Sequence, residues 1–291
     1  MYKEVAFDPS CMADIEYYNL VKQHFGFEKG RYISAEIKSW AREAMAVVKE
    51  SDLKPVRKQS VKNYLNKLGR SKSSEEFLLT RDRQVVTAGR WQDWADEQRR
   101  IRRFTCTISD GVGEDVINID RINDGCVEWD VPASISVERG NPSDIIAALA
   151  PLFVLSNCIT IIDPYFRLSG NPVLGGLLHV ISATSVRSLR IVTTMNPPNI
   201  QDVYDRELRG RNISNVYFEW IRAPDRYFHD RYVITDAGAV RSGQGFMVDL
   251  EKGTHSDLAN INIIGRDEAY RTLHELGKLL GDGRATVQFR V

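Results

Sequence analysis

Long apolar runs are missing from this sequence. The longest, around Ile145 to Ile162, is interrupted by Pro151, Ser156 and Asn157 and falls short of the ~20 residues that a membrane-spanning helix needs. The opening MYKEVAFDPS has no charged start followed by an apolar stretch, so no secretory signal is expected and the cytoplasm is the expected compartment. Cysteine is scarce: Cys11, Cys106, Cys126 and Cys158 lie far apart, with no C-x-x-C pair and no histidine cluster beside them. That spacing argues against a disulfide framework and against structural zinc, and no metal or other cofactor is expected. There is no P-loop and no G-x-S-x-G turn, and the Gly175-Gly176 pair lacks the surroundings of a dinucleotide fingerprint. Internal repeats and low-complexity stretches are absent too.

What remains is an ordinary globular composition. The 291 residues are 43% hydrophobic and 27% charged, enough for a sizeable core and for about two domains. Net charge is zero, with 39 basic and 39 acidic residues, but the charges are unevenly placed. From Leu53 to Arg103 there are 14 Lys/Arg against 6 Asp/Glu, and from Phe104 to Asp163 only 2 against 10. The basic block reads either as a nucleic-acid footprint or as the counterpart of the acidic block across a domain interface.

Helical periodicity dominates the first hundred residues. Between Ile33 and Val48, Ile37, Trp40, Ala41, Ala44, Val47 and Val48 form one face, and Pro55 is expected to end that element. A second helix, about Arg57 to Leu68, turns Val61, Tyr64, Leu65 and Leu68 inward and Lys58, Lys62 and Lys67 outward, with Arg70 and Lys72 just beyond. A third, about Arg90 to Arg103, buries Trp91, Trp94 and Ile101 and exposes Arg99, Arg100 and Arg103. Near Phe104 the pattern changes to short alternating segments broken by Gly and Asn/Asp-Gly turns, which predicts antiparallel strands. From Pro142 onward helices and strands alternate, ending in a helix over Asp267 to Leu280. The expected organisation is a helical, partly basic module over 1–103, then a mixed-sheet α/β sandwich over 104–291 with a β-rich entry segment over 104–140. The helical module is also a candidate surface for a protein partner.

The segment Phe228 to Phe246, FHDRYVITDAGAVRSGQGF, carries the most chemistry. In a strand, residues two apart share a face, so His229 and Arg231 are expected to project together. An imidazole beside a guanidinium suits a phosphate: the imidazole attacks phosphorus or donates a proton, and the guanidinium holds two oxygens in its fork. Asp236 either orients the imidazole or caps the turn, and Gly243 and Gly245 let backbone approach a ligand. The alternatives are structural. His229 can pair with Asp230, Arg231 with Asp163 or Glu219, and Asp163-Pro164 can be only a strand-ending turn. His255 reads as a solvated loop residue, His179 as a core residue on an apolar helix, and His24 and His274 as surface or packing positions.

This segment resembles the phospholipase D superfamily motif H-x-K-x4-D-x6-G-S-x-N, matched in spacing by His229, Arg231, Asp236 and Gly243. The strand Ile161 to Phe166, the following helix and the strand LRIVTT resemble the half-domain of that superfamily, and the resemblance spans roughly Asp144 to Asp267. Arg231 stands where the motif has Lys, Gln244 where it has Ser and Phe246 where it has Asn, and a single copy is present. DPYFR, HDR and GxGF look closer still to the phospholipase-D-like C-terminal domain of MIT-domain proteins, a branch regarded as lipid-binding. The resemblance implies a metal-independent phosphodiesterase, with His229 as nucleophile or acid, Arg231 as phosphate clamp and Asp236 in support. Arg231, Gly243, Gln244 and Gly245 would bind phosphate, with Asp163 and Tyr165 supporting. With one copy, a two-histidine site needs a homodimer. The basic block, with Lys58, Lys62, Lys67, Arg70, Arg99, Arg100 and Arg103 as contacts, favours nucleic acid over lipid as the substrate. The alternatives are a phosphate-, phospholipid- or nucleic-acid-binding module without catalysis, and an assembly subunit with a degenerate site.

Overall fold

Strand β1 (Lys3–Phe7) is buried almost throughout, which suits a central parallel strand covered on both faces. It is followed by α1 (Ile15–His24), β2 (Arg31–Ile33), α2 (Ile37–Glu50), α3 (Pro55–Arg70), α4 (Trp91–Ile101), β3 (Cys106–Ile108), β4 (Val116–Ile117) and α5 (Ile119–Asn123). The chain is described from a computed structural model over residues 1–83, 89–111, 113, 115–197, 199–209, 215–248 and 258–291. The first sheet has the order β2-β1-β3-β4 and is parallel throughout. Phe7 sits edge-on to Tyr17, Phe25 and Trp40, each 6.0 Å away between ring centroids, and the Trp40 indole donates to the Phe7 carbonyl at 2.6 Å. Arg83, fully buried, donates to both Glu4 carboxylate oxygens at 2.6 and 2.9 Å.

The second sheet is built from β5 (Ser134–Glu138), α6 (Pro142–Val154), β6 (Cys158–Ile162), α7 (Pro172–Ser182), β7 (Ser188–Thr193), α8 (Ile200–Glu207), β8 (Tyr217–Arg222), β9 (Arg231–Thr235), β10 (Ala239–Ser242), β11 (Leu258–Ile263), α9 (Arg266–Gly281) and β12 (Thr286–Arg290). Its order is β12-β8-β7-β6-β9-β10-β11-β5. Strands β6, β7 and β8 are parallel, and the remaining pairings are antiparallel. The Gly175-Gly176 pair belongs to helix packing. A Cβ on Gly176 would come within 2.1 Å of Ile146 Cδ1, so its absence lets α7 lie close against α6. The fold is thus mixed α/β, with two sheets and nine α-helices among the described residues, as the sequence pattern predicts.

Several local expectations change. The chain divides into compact units over Tyr2–Val131 and Pro132–Val291, not at residue 104. The first unit is a helix-covered parallel sheet and not a purely helical module. Residues 106–108 pair in parallel with β1, a partner a hundred residues away that local alternation cannot reveal. Cys106, Thr107 and Ile108 are all buried, so the alternation there does not mark a half-exposed antiparallel strand. After two strand residues, Ile119–Asn123 is helical, with Asn118 capping it. Pro55 opens α3 instead of merely ending the element before it, since proline lacks only a donor that the first turn leaves unused. Ile101, expected inside, is 49% exposed.

Candidate functional site

The carboxyl ends of β6, β7 and β8, the start of β9 and the ends of β10 and β5 share one edge of the eight-stranded sheet. In open α/β sheets, ligand sites collect outside the carboxyl ends of the parallel strands, where loops converge. Asp163 follows β6 and is buried to 1% exposure. Its Oδ1 accepts the Tyr165 amide at 3.0 Å, and its Oδ2 accepts the Phe246 amide at 2.9 Å. One carboxylate therefore closes its own turn and ties down the glycine-bearing loop after β10. Burial pushes the Asp163 carboxyl above the usual range, against the opposing pull of those two amides and of the Arg231 and Arg139 charges. Gly245, at φ +90°, brings its backbone so close to Asp163 that a Cβ would lie 2.7 Å from Oδ2. No other residue type fits there without strain. Gly243 meets no such constraint, since a Cβ there would have open space.

Arg231 is the first residue of β9. Its Nη1 donates to the Gly243 carbonyl at 2.6 Å and to the His229 carbonyl at 3.2 Å. Its Nε is buried and has no hydrogen-bond partner among the described residues. The guanidinium carbon lies 5.4 Å from the centre of the Tyr165 ring, and Tyr165 is itself 45% exposed. The structure thus gathers Asp163, Tyr165, Arg231, Gly243 and Gly245 at one place, while Gln244 is exposed on the same loop. His229 is exposed in the bend before β9, outside the strand, so the expected shared strand face with Arg231 does not form. A hydrogen bond from the Arg231 guanidinium to the His229 carbonyl joins the two residues instead.

Asp236 is not at this site. It follows β9 at the opposite edge, seven residues from His229, or about 23 Å along an extended chain. There its Oδ1 accepts the Asn157 and Cys158 amides at 2.9 and 3.0 Å, and its Oδ2 accepts Asn157 Nδ2 at 3.0 Å. Its role is to cap the entry to β6, and it does not orient the imidazole. Glu219 pairs with Arg190 at 2.6 Å, not with Arg231, and Asp230 pairs with Arg241 at 3.6 Å. Phe246, where the motif has Asn, is a fully buried core residue. His179 is exposed rather than core, and His255 lies outside the described residues. Sequence reasoning missed Arg139, which follows β5 and adds its charge to the field at Asp163. No local signal marks it, because β5 reaches this sheet by pairing with β11, more than a hundred residues later.

In the first unit, Lys67, Arg70, Arg100 and Arg103 are exposed, and Lys58, Lys62 and Arg99 are half-buried. Lys58 donates to the Ser51 carbonyl at 2.7 Å, and Arg99 pairs with Asp96 at 2.9 Å. The expected basic contacts are therefore spread over α3, α4 and the residue Arg103 beyond it, and some are already engaged. Among the described residues no group of three or more His, Cys, Asp or Glu is placed to hold a metal ion, and no helix is long and apolar enough to cross a membrane.

Neither the protein-family models nor the curated proteins contain a match to this chain. Among solved structures, the chain is similar to the archaeal chromatin protein TrmBL2, described as showing a novel mode of DNA binding. That likeness has 12% identity, a TM-score of 0.34, and coverage of 96% of this chain and 99% of that one.

Proposed function

We propose that the second unit is a phosphate-binding module that holds the backbone of a nucleic acid at the carboxyl edge of its eight-stranded sheet, with Arg231 as the clamp. The observation that carries this reading is the state of Arg231. Two backbone carbonyls fix one nitrogen of its guanidinium, while its buried Nε–H has no partner among the described residues. A buried donor without an acceptor costs about 1–3 kcal/mol, and a phosphate oxygen at this edge would satisfy it. The exposed Lys67, Arg70, Arg100 and Arg103 of the first unit would add non-specific attraction to the same polyanion. The cytoplasm suits this role, since the four cysteines are free thiols.

A second reading, a metal-independent phosphodiesterase, draws on the exposure of His229 beside Arg231. It has less support, because the motif's acidic residue is Asp236 at the far edge and its Asn position is filled by core Phe246. The imidazole therefore lacks both expected helpers, and a second histidine would have to come from another copy of the chain. The test incubates labelled single-stranded DNA and RNA with wild type, His229→Ala and Arg231→Ala in EDTA, and records both binding and cutting. Binding that fails in Arg231→Ala and persists in His229→Ala, without cutting, is expected. Cutting that is lost in His229→Ala would instead establish the phosphodiesterase.

A further inference from the structure

A basic cavity opens on the same edge of the same sheet. It has a volume of about 340 Å³ and is lined by Thr194 after β7, Arg222 at the end of β8, and Arg284 and Thr286 at the start of β12, with Asp225 as the carboxylate among its lining residues. Both arginines are exposed. Arg284 Nε lies 3.9 Å from Asp282 Oδ2 with both side chains in solvent, and its guanidinium also bonds the Tyr227 phenol. Beside the cavity Arg226 donates to the Tyr227 phenol at 3.2 Å, and this hydrogen bond, with the contributions of the Arg226 and Arg284 charges, draws the phenol below its usual range.

The cavity and the Arg231 site are joined through hydrogen bonds of the loop after β6. The Pro164 carbonyl, between Asp163 and Tyr165, accepts Thr193 Oγ1 at 3.0 Å, the Thr194 amide at 3.0 Å and Thr194 Oγ1 at 2.6 Å. Tyr165 thus stands between the two basic positions with its ring 45% exposed. From β9 across β6 and β7 to β8 is three strand spacings, about 14 Å. A single phosphate cannot bridge that span, whereas a strand with regularly spaced phosphates can. An exposed ring between two cationic positions is the arrangement that holds single-stranded nucleic acid, with a base stacked on the aromatic and the backbone tracked by the charges.

Resting on the phosphate-binding reading, we infer that the ligand is single-stranded nucleic acid laid along this edge, with one phosphate at Arg231, a base on Tyr165 and a further phosphate in the Arg222–Arg284 cavity. The test uses the full chain and fluorescein-labelled oligothymidylate of about twelve nucleotides, within the usual span of such sites. The same oligomer lacking bases and vesicles containing phosphatidylserine serve as the other probes. Wild type, Arg231→Ala, Tyr165→Ala and the double variant Arg222→Ala/Arg284→Ala are titrated over a range of salt.

The double variant is expected to bind the oligomer at least ~10-fold more weakly and to lose about 0.7 from its logarithmic salt slope for the phosphate it no longer holds. Tyr165→Ala is expected to lose ~5–150-fold on the natural oligomer and little on the baseless one, as stacking worth about 1–3 kcal/mol requires. If the double variant and Tyr165→Ala bind like wild type while Arg231→Ala does not, the strand path is overturned and the single phosphate site stands. If Arg231→Ala also binds like wild type, both readings fall. Binding of the vesicles but not the oligomer, with dependence on Arg222 and Arg284, would overturn the nucleic-acid assignment in favour of a lipid headgroup.

Discussion

Gly245 and Asp163 show how tightly the loop after β10 is determined at the level of single residues. With φ +90° and only 2.7 Å between a would-be Cβ and Asp163 Oδ2, Gly245→Ala is expected to cost about 1–3 kcal/mol. Gly243→Ala, with open space around it, should stay within about 0.5 kcal/mol of wild type. Urea unfolding of the two variants side by side measures this difference. Asp163 contributes in the same place, and its charge carries a pH signature. Burial raises its pKa, so the folded chain binds this proton more tightly than the unfolded chain does. Its contribution to stability is then greatest below the ordinary carboxylate pKa and declines as pH rises through the raised value. Asp163→Asn, uncharged throughout, should remove that decline while losing one of the two accepted amides. Unfolding midpoints collected between roughly pH 4 and 7 should therefore fall for wild type relative to the variant as pH increases.

At the scale of elements, β9 separates two roles that the sequence places in one motif. Arg231 begins the strand at the carboxyl edge of the parallel strands, and Asp236 follows its end, where it accepts three hydrogen bonds from Asn157 and Cys158. Asp236→Ala is accordingly expected to lower stability by about 1–2 kcal/mol and to leave phosphate binding intact. A catalytic or ligand-binding role would show the reverse pattern, with binding or turnover lost at unchanged stability. Much of this site is legible in the sequence. Asp163, Tyr165, Arg231 and the glycine-bearing return are visible as strand ends and turn residues, and the structure brings them together. The direction of a strand is what spacing alone misreads: five residues from Arg231 to Asp236 span about 17 Å when extended, which is longer than a shared site. Pairing partners are equally hidden. Strand β3 looks locally like any short alternating segment, although its neighbour is β1. Strand β12 is mostly exposed or half-buried, so it carries too little apolar alternation to announce itself beyond α9.

At the scale of the whole molecule, each unit has its own sheet and its own buried core: the Phe7–Trp40 cluster in one, and the inward faces of β6, β7 and β8 in the other. The separate chain 132–291 is therefore expected to unfold cooperatively and to keep Arg231-dependent oligonucleotide binding. Its overall affinity should be weaker, because the exposed basic residues of α3 and α4 are gone. Circular dichroism melting with a binding titration checks both parts. The central claim is that the carboxyl edge of the eight-stranded sheet binds phosphate through Arg231, and it is tested most directly by the salt dependence of oligonucleotide affinity in the full chain. Wild type, Arg231→Ala and Asp236→Ala are the three proteins to compare. Arg231→Ala should lose at least ~10-fold in affinity and about 0.7 of the logarithmic salt slope, while Asp236→Ala, though less stable, keeps the wild-type curve. Identical curves for wild type and Arg231→Ala, or a loss confined to Asp236→Ala, would contradict the account.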